Sequence, residues 1–300
     1  MLPTGELRQA IVSASRAAIA KGALVSIPTN YEVVPDGGID FFVRVIDNLA
    51  RKDFERRAEA DAAPHGANPF LPYDEDLFVA DLTETHVGLL NKYNVVDHHL
   101  LMVTRRFEDQ NDPLTRADFE VMWRCLADVN GLVFYNGGVV AGASQPHKHL
   151  QMVPLPLAPA GPPTPMDPLF AKVNRTGTPS HLSGLPLRHS FVRLTSDTRH
   201  HPPKAAGLTL ALFQRMCAKV RIAAKTRPDG GTSVITPYNL LVTRRWMLLV
   251  PRAAECFDSV SLNSLAFAGA LLVRTRSQLS RLKAAGPMTA LAQVAFPMLP

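Results

Sequence analysis

The chain has 300 residues, 46 % of them apolar, and a net charge of +6 at pH 7. That length supports a substantial core, and no run approaches the roughly 18 uninterrupted apolar residues of a membrane span. The positive balance favours anionic partners, whether nucleic acid, membrane surface or phosphorylated small molecules, and charge alone does not choose among them. Lys and Arg are spread without the blocks or aromatic interleaving of a nucleic-acid groove, and no nucleic acid and no membrane partner is expected. Cys125, Cys217 and Cys256 are scattered, odd in number and never in a Cys-x-x-Cys pair, which argues against a disulfide or a zinc knuckle. The start, Met1 to Glu6, lacks the basic-then-apolar order of a secretory leader, and a cytoplasmic location is expected.

In chain order, Leu7, Ala10, Ile11, Ala14 and Ala18 predict an amphipathic helix over residues 6–21, and Phe41 to Leu49 reads as a strand. Arg51 to Pro69 is charged, then rich in Ala, Pro, Gly and Asn, as a surface loop would be. Leu89-Leu90 and the apolar run His99 to Thr104 predict a hairpin turning at Val96-Asp97-His98. A helix then opens at Leu114 to Asp118, with Thr115 and Asp118 as a capping box, and carries Phe119, Met122, Trp123, Leu126 and Val129. Leu132 to Tyr135 is a short strand delivering Asn136 to a small-residue turn, and His147 to Val153 is the next strand. From Pro154 to Pro168, seven of fifteen residues are proline, which marks the best linker candidate. Beyond it come a strand at Phe191 to Leu194, a helix over Leu208 to Ala224, a strand over Tyr238 to Val250 and a helix over Leu262 to Leu282. Residues 99–107 echo residues 238–246 at five of nine positions, a weak hint of two related halves.

The chemistry concentrates in Gly142 to Val153. A strand sets residues i, i+2 and i+4 on one face, so His147, His149 and Gln151 project together. Upstream, Gly142 frees the amides of Ala143, Ser144 and Gln145 to form an anion nest, to which the Ser144 hydroxyl adds a donor. Phosphoryl-type transfer needs in-line attack and a cage for the non-bridging oxygens, and little else. A histidine with an ordinary pKa near 6.5 is largely neutral at about pH 7, provided its second nitrogen donates to a carbonyl or neighbour. His149 is the favoured nucleophile, with His147 orienting it; Gln151 can hold a phosphate oxygen but cannot change its protonation state. A leaving group that is itself a phosphate needs no strong general acid, so the pattern suits exchange between polyphosphates. The bland alternatives are a structural strand histidine or half of a metal site. The combination of two histidines, a same-face glutamine, a small-residue turn and a strand-end Asn136 weighs against both. His98-His99 and His200-His201 lack cysteine partners at zinc spacing and are expected in loops, so no metal site is expected; Trp123 and Phe119 read as core.

At these residues the chain resembles the histidine triad (HIT)-like superfamily, and within it the ATP adenylyltransferases, or diadenosine tetraphosphate phosphorylases. Their active-site segment, Gly-Ala-Ser-Gln-x-His-x-His-x-Gln, is present from Gly142 to Gln151, with glutamine as the third member of the triad. Leu89 to Thr104 looks like the family's nucleotide-binding hairpin, Tyr238 to Arg252 like its C-terminal signature, and Asn68 to Pro72 matches as well. The uridylyltransferase relatives use a similar segment but have proline where this chain has Lys148.

The resemblance implies an α+β fold: a HIT-like antiparallel β-sheet with flanking helices, extended by a C-terminal α+β segment. It implies a catalytic portion over 1–153, a Pro-rich connection over 154–186 and a C-terminal portion over 187–300 packing on the same unit. It further implies double displacement, in which His149 takes AMP from diadenosine tetraphosphate, releasing ATP, and phosphate then takes the AMP to give ADP. Gln151 and Gly142 to Gln145 would contact phosphate, and Asn136 and Asn91 ribose or phosphate; Lys52, Lys92, Asn239 and Arg244 carry over as further nucleotide contacts. No cofactor is obligatory, with Mg2+ as a nucleotide counter-ion. Alternatives with the same residues are transfer to sulfate, hydrolysis of dinucleoside polyphosphates, or a nucleotide-binding sensor without turnover.

Overall fold

The structure, a computed structural model, describes residues 2–46, 68–195 and 201–299. The first half holds α1 (Leu7–Lys21), β1 (Thr29–Asp36), β2 (Ile39–Ile46), β3 (Phe78–Asp81), β4 (His86–Leu90), β5 (Leu100–Thr104), α2 (Arg116–Asp128), β6 (Gly131–Gly137) and β7 (His149–Pro154). After the proline-rich segment come the single turn α3 (Asp167–Phe170), β8 (Ser190–Arg193), α4 (Pro202–Val220) and a small hairpin of β9 (Ala224–Thr226) and β10 (Thr232–Val234). The chain continues through β11 (Tyr238–Val242), β12 (Trp246–Pro251), the hairpin β13 (Cys256–Phe257) and β14 (Val260–Ser261), β15 (Ala270–Val273), α5 (Arg276–Ala285) and α6 (Pro287–Val294).

Eight strands make one antiparallel sheet in the order β3-β4-β5-β7-β6-β11-β12-β8. The order is symmetric about the central pair β7-β6: β5 and β11 flank it on either side and run in opposite directions. The echoing segments 99–107 and 238–246 fall largely on these two strands, but their aligned residues face opposite sides of the sheet: Val103 shares the face of His149, whereas Val242 is buried in the helix-side core, so the echo does not reflect a two-fold repeat. One sheet thus draws strands from both sides of the proline-rich segment, with β6 paired to β11.

Each face of the sheet has its own core. Alternation sends Leu150 and Met152 to the side where α1, α2 and α4 pack, with Trp123, Phe119 and Phe213 buried among them. The opposite side takes Leu132, Phe134, Val153, Leu241 and Leu248 and is covered by the second layer, β1-β2-β15, in which β15 runs parallel to β2. His149 and Gln151 have the parity of Val153 and therefore lie on this second face.

Several sequence readings shift. The capping box on α2 is present, with Thr115 accepting from the Asp118 amide and the Asp118 carboxylate accepting from the Thr115 amide. The long strand predicted over 238–250 is a hairpin, because the Thr243 hydroxyl accepts from the amides of Arg245 and Trp246 and folds a turn between β11 and β12. The helix predicted over 262–282 divides into a 3-10 turn (Ser264–Ala268), β15 and α5, since Gly269 takes a left-handed φ of 91° and Thr275 caps a new start. The proline-rich stretch is not a solvated linker: Leu157 and Met166 are buried in the second core, and the Met166 amide bonds the Ala268 carbonyl. Prolines lack the amide a ladder requires, but the apolar residues between them still seal a core. The predicted surface loop at 51–69 and Lys52 lie almost wholly or wholly outside the described residues.

Candidate active site

Pairing between β6 and β7 runs from Gly131 opposite Pro154 to Phe134 opposite Gln151 and stops there. Beyond it the two strands deliver Asn136 and His149 to the rim of the sheet, and the chain between them folds the Gly142 turn. Gly142 has φ of 91°, and a Cβ there would stand 3.0 Å from Asn263 Cβ, so the turn requires glycine on both conformational and packing grounds.

The His149 ring is fixed by its own strand. Its Nδ1–H donates to the His147 carbonyl at 2.8 Å, which leaves the lone pair on Nε2. Burial pushes its pKa down to about 4, so the imidazole is neutral across the physiological range. A neutral ring of one tautomer, with its nucleophilic nitrogen unprotonated, meets the chemical requirement for attack on phosphorus.

His147 orients its neighbour through the backbone carbonyl rather than through its imidazole. The imidazole Nε2–H donates to the Thr104 carbonyl at 2.8 Å, and Nδ1 accepts from the Asn68 amide at 2.9 Å. Phe70 packs on both imidazoles, with ring centroids 5.6 Å from His147 and 5.4 Å from His149. The segment Asn68 to Phe70 is therefore a wall of the site.

Gln151 is wired to the β4-β5 hairpin. Its Oε1 accepts from His99 Nε2–H at 2.9 Å, and His99 Nδ1 accepts from Asn91 Nδ2 at 3.2 Å. The chain of bonds leaves the Gln151 Nε2 donors with no acceptor among the described residues, available to a phosphate oxygen. His99 lies in the connection expected for it, as its last residue before β5. It closes a further rung between β4 and β5, with the Asn91 amide bonding its carbonyl, and burial lowers its pKa to about 4. No local pattern distinguishes His99 from His98; only the register of three strands makes it the link between Asn91 and Gln151.

The nest is smaller than expected. The Ala143 amide donates to the Gly138 carbonyl and the Gly142 amide to that of Val139, because the residues before Gly142 wind into a 3-10 turn (Val139–Ala141). The amides of Ser144 and Gln145 have no acceptor among the described residues, and Ser144 is exposed.

Asn136 and Asn239 hold this turn rather than facing out of it. Asn136 Oδ1 accepts from Ser264 Oγ at 2.7 Å and from Asn239 Nδ2 at 2.9 Å, while its Nδ2 donates to the Gly142 carbonyl. Asn239 Nδ2 also reaches the Ala141 carbonyl, and its Oδ1 accepts from the fully buried Arg252 at 2.6 Å. Arg252 spends its remaining donors on the carbonyls of Leu262, Ala254, Glu255 and Val294 and thereby ties the C-terminal loops to the turn. Lys92 lies in the turn after Asn91 with its ammonium 5.7 Å from the Tyr93 ring centroid. Arg244 stands apart from this constellation: its guanidinium bonds the carbonyls of Leu126 and Ala127 at the C-terminal end of α2, where a cation meets the helix's negative end.

Lys148, between the histidines, points to the helix face. Its ammonium is fully buried, 2.6 Å from Glu108 and 3.8 Å from Asp118, which also accepts from His86 at 3.1 Å. Asp118 stays ionised, its pKa lowered by the His86 hydrogen bond and the Lys148 charge against the opposing effect of burial. Among the described residues no group of three or more His, Cys, Asp or Glu is arranged to hold a metal ion.

With this geometry in view, the sequence matches the Ap4A phosphorylase N-terminal domain over residues 1–172 and the ATP adenylyltransferase C-terminal domain over residues 183–297. The chain belongs to the Ap4A phosphorylase family. It is 29 % identical over 282 residues to diadenosine 5',5'''-P1,P4-tetraphosphate phosphorylase 2 of Saccharomyces cerevisiae, covering 83 % of this chain and 80 % of that protein. Its fold is similar to the crystal structure of yeast Ap4A phosphorylase Apa2, with a TM-score of 0.76, 26 % identity, and coverage of 100 % of this chain and 97 % of the other. The Apa2 complex with AMP is equally similar, with a TM-score of 0.77, 26 % identity, and coverage of 100 % and 99 %. As a member of the family the chain is a nucleotidyltransferase, and its fold is α+β, a large antiparallel sheet with flanking helices.

Proposed function

We propose that this chain catalyses the conversion of diadenosine tetraphosphate and phosphate into ADP and ATP by double displacement on His149. The observation that carries the reading is the His149 ring, held neutral and in the Nδ1–H tautomer by the His147 carbonyl, beside the free donors of Gln151 and the Ser144 and Gln145 amides. In the first step Nε2 attacks the α-phosphorus; a P–N bond forms, the bridging bond to the β-phosphate breaks, and ATP leaves. In the second step a phosphate oxygen attacks the same phosphorus, the P–N bond breaks, and the imidazole returns as ADP departs. Both leaving groups are weakly basic, so no strong general acid is needed beside His149. The donors around it hold the non-bridging oxygens as charge shifts among them.

The related yeast phosphorylase supports the choice of dinucleotide, and the AMP complex of Apa2 supports the binding of an adenylate. Magnesium is read as arriving with the nucleotide polyphosphate, and the reaction as cytoplasmic, in keeping with the three free cysteines. Incubation with diadenosine tetraphosphate and phosphate, followed by separation of nucleotides, should give ADP and ATP in equal amounts. AMP release in water alone would make the chain a hydrolase, and adenylyl sulfate formed preferentially from sulfate would change the acceptor.

A further inference from the structure

The segment Glu108 to Pro113 carries no pattern that assigns it to an element, yet it straps the strand that carries the nucleophile. Asp109 bridges to His147 in antiparallel fashion, the Lys148 amide donates to the Glu108 carbonyl at 2.8 Å, and the Gln110 amide donates to the Pro146 carbonyl at 2.7 Å. At the next step the Gln110 side chain enters the sheet. Continuing the β6-β7 register two residues past Phe134 and Gln151 would set Asn136 against His149. There the carboxamide is inserted instead: the His149 amide donates to Gln110 Oε1 at 2.9 Å, and Gln110 Nε2 donates to the Asn136 carbonyl at 2.8 Å and to the His149 carbonyl at 3.3 Å.

We infer that Gln110 is a positioning residue that sets His149 and the phosphate turn in one frame. The inference rests on the adenylyl-transfer reading of His149. A carboxamide is suited to the place because it offers one acceptor and two donors in a plane, matching an amide N–H on one strand and carbonyls on both. Gln110 is buried, and its own carbonyl accepts from the Tyr135 hydroxyl, so the side chain is held at both ends. Its two partners carry the two halves of the site. His149 bears the nucleophile, and Asn136 holds the Gly142 carbonyl of the turn. In-line attack depends on the distance and angle between these halves, and a misplacement of about 1 Å costs about 10²-fold in rate.

The test compares Gln110→Met, which removes both donor and acceptor, with Gln110→Glu, which keeps the acceptor and sets oxygen against the two carbonyls. Three quantities are read: the single-turnover rate of adenylyl-His149 formation, the Kd for AMP, and hydrogen exchange at the His149 amide. In both variants adenylylation should slow by about 10²-fold while AMP affinity stays within about threefold. The His149 amide should lose protection in Gln110→Met while Leu150 and Met152 keep theirs. Adenylylation within about threefold of the parent in either folded variant overturns the inference. So does a parallel fall in AMP affinity and rate, which marks general collapse of the site. If Gln110→Met does not fold, Gln110→Glu carries the same comparison. If the parent forms no adenylyl-histidine, the reading of the reaction fails instead; Gln110 is then judged by 15N shifts of the His149 ring, expected to show one Nδ1–H tautomer in the parent and a mixture in the variants, with unchanged shifts overturning it.

Discussion

Burial lowers the pKa of His149 to about 4, and this separates the nucleophile from an ordinary histidine near 6.5. The reactive form is the neutral one, so lowering the pKa extends activity to more acidic pH. The acidic limb of kcat/KM for diadenosine tetraphosphate, once corrected for phosphate ionisation, should stay level through pH 6.5 and fall only as pH approaches about 4. A midpoint near 6.5 would show that His149 is solvated in the working enzyme. Replacing the ring in His149→Ala should remove the covalent AMP and lower turnover by on the order of 10⁴-fold, read by mass spectrometry and nucleotide separation. Asn239 belongs to a different class of residue, because it is enclosed and bonded to Asn136, Ala141 and Arg252. Asn239→Leu strands a buried guanidinium donor and two acceptors, and urea unfolding should show a loss of about 2–3 kcal/mol.

At the scale of elements, the nucleophile's strand is fixed on both faces. Toward the helices, Lys148 joins β7 to α2 through Asp118, which in turn caps α2 and bonds His86 of β4. Asp118→Ala should cost about 3 kcal/mol in urea unfolding, since it leaves a buried ammonium with one partner fewer and His86 without its acceptor. On the other face the Gly142 turn depends on left-handed backbone. Gly142→Ala should destabilise by about 1–2 kcal/mol, and the tight approach to Asn263 should raise KM for the dinucleotide by shifting the Ser144 and Gln145 amides. Period-two alternation makes the shared face of His149 and Gln151 legible from the order of residues alone, because a strand allows no other arrangement. It does not show that the Ala143 amide is consumed by the Gly138 carbonyl, a bond set by the path of the turn. The helix expected over 262–282 fails for a related reason: its apolar residues satisfy helical spacing, but Gly269 and the parallel pairing of β15 with β2 settle the backbone.

Across the whole molecule, three histidines far apart in sequence, His99, His149 and His189, are buried with pKa values pushed down to about 4. The unfolded chain protonates them near 6.5, so it binds more protons than the native state between about pH 6.5 and 4. Stability is therefore full above that range and declines as pH falls through it. The midpoint of urea unfolding should drop between pH 7 and 4.5 and should drop less in His189→Gln, whose site lies away from the nucleophile at the Leu182 amide and Leu187 carbonyl. A midpoint independent of pH over this interval would contradict the burial of these rings as neutral groups.

By itself the sequence determined the class of chemistry and the kind of fold, because both rest on short-range rules. Small residues free a turn, alternation aligns His149 with Gln151, and a capping box starts α2. Tertiary structure decided which groups serve that chemistry. Gln110, His99 and Arg252 reach the site through an inserted carboxamide, a strand register and a network across the two halves of the sheet, while Arg244, two residues after β11 ends, is carried to the far end of α2. Such assignments depend on how strands pair and layers pack over separations of up to 118 residues, and no local pattern encodes them.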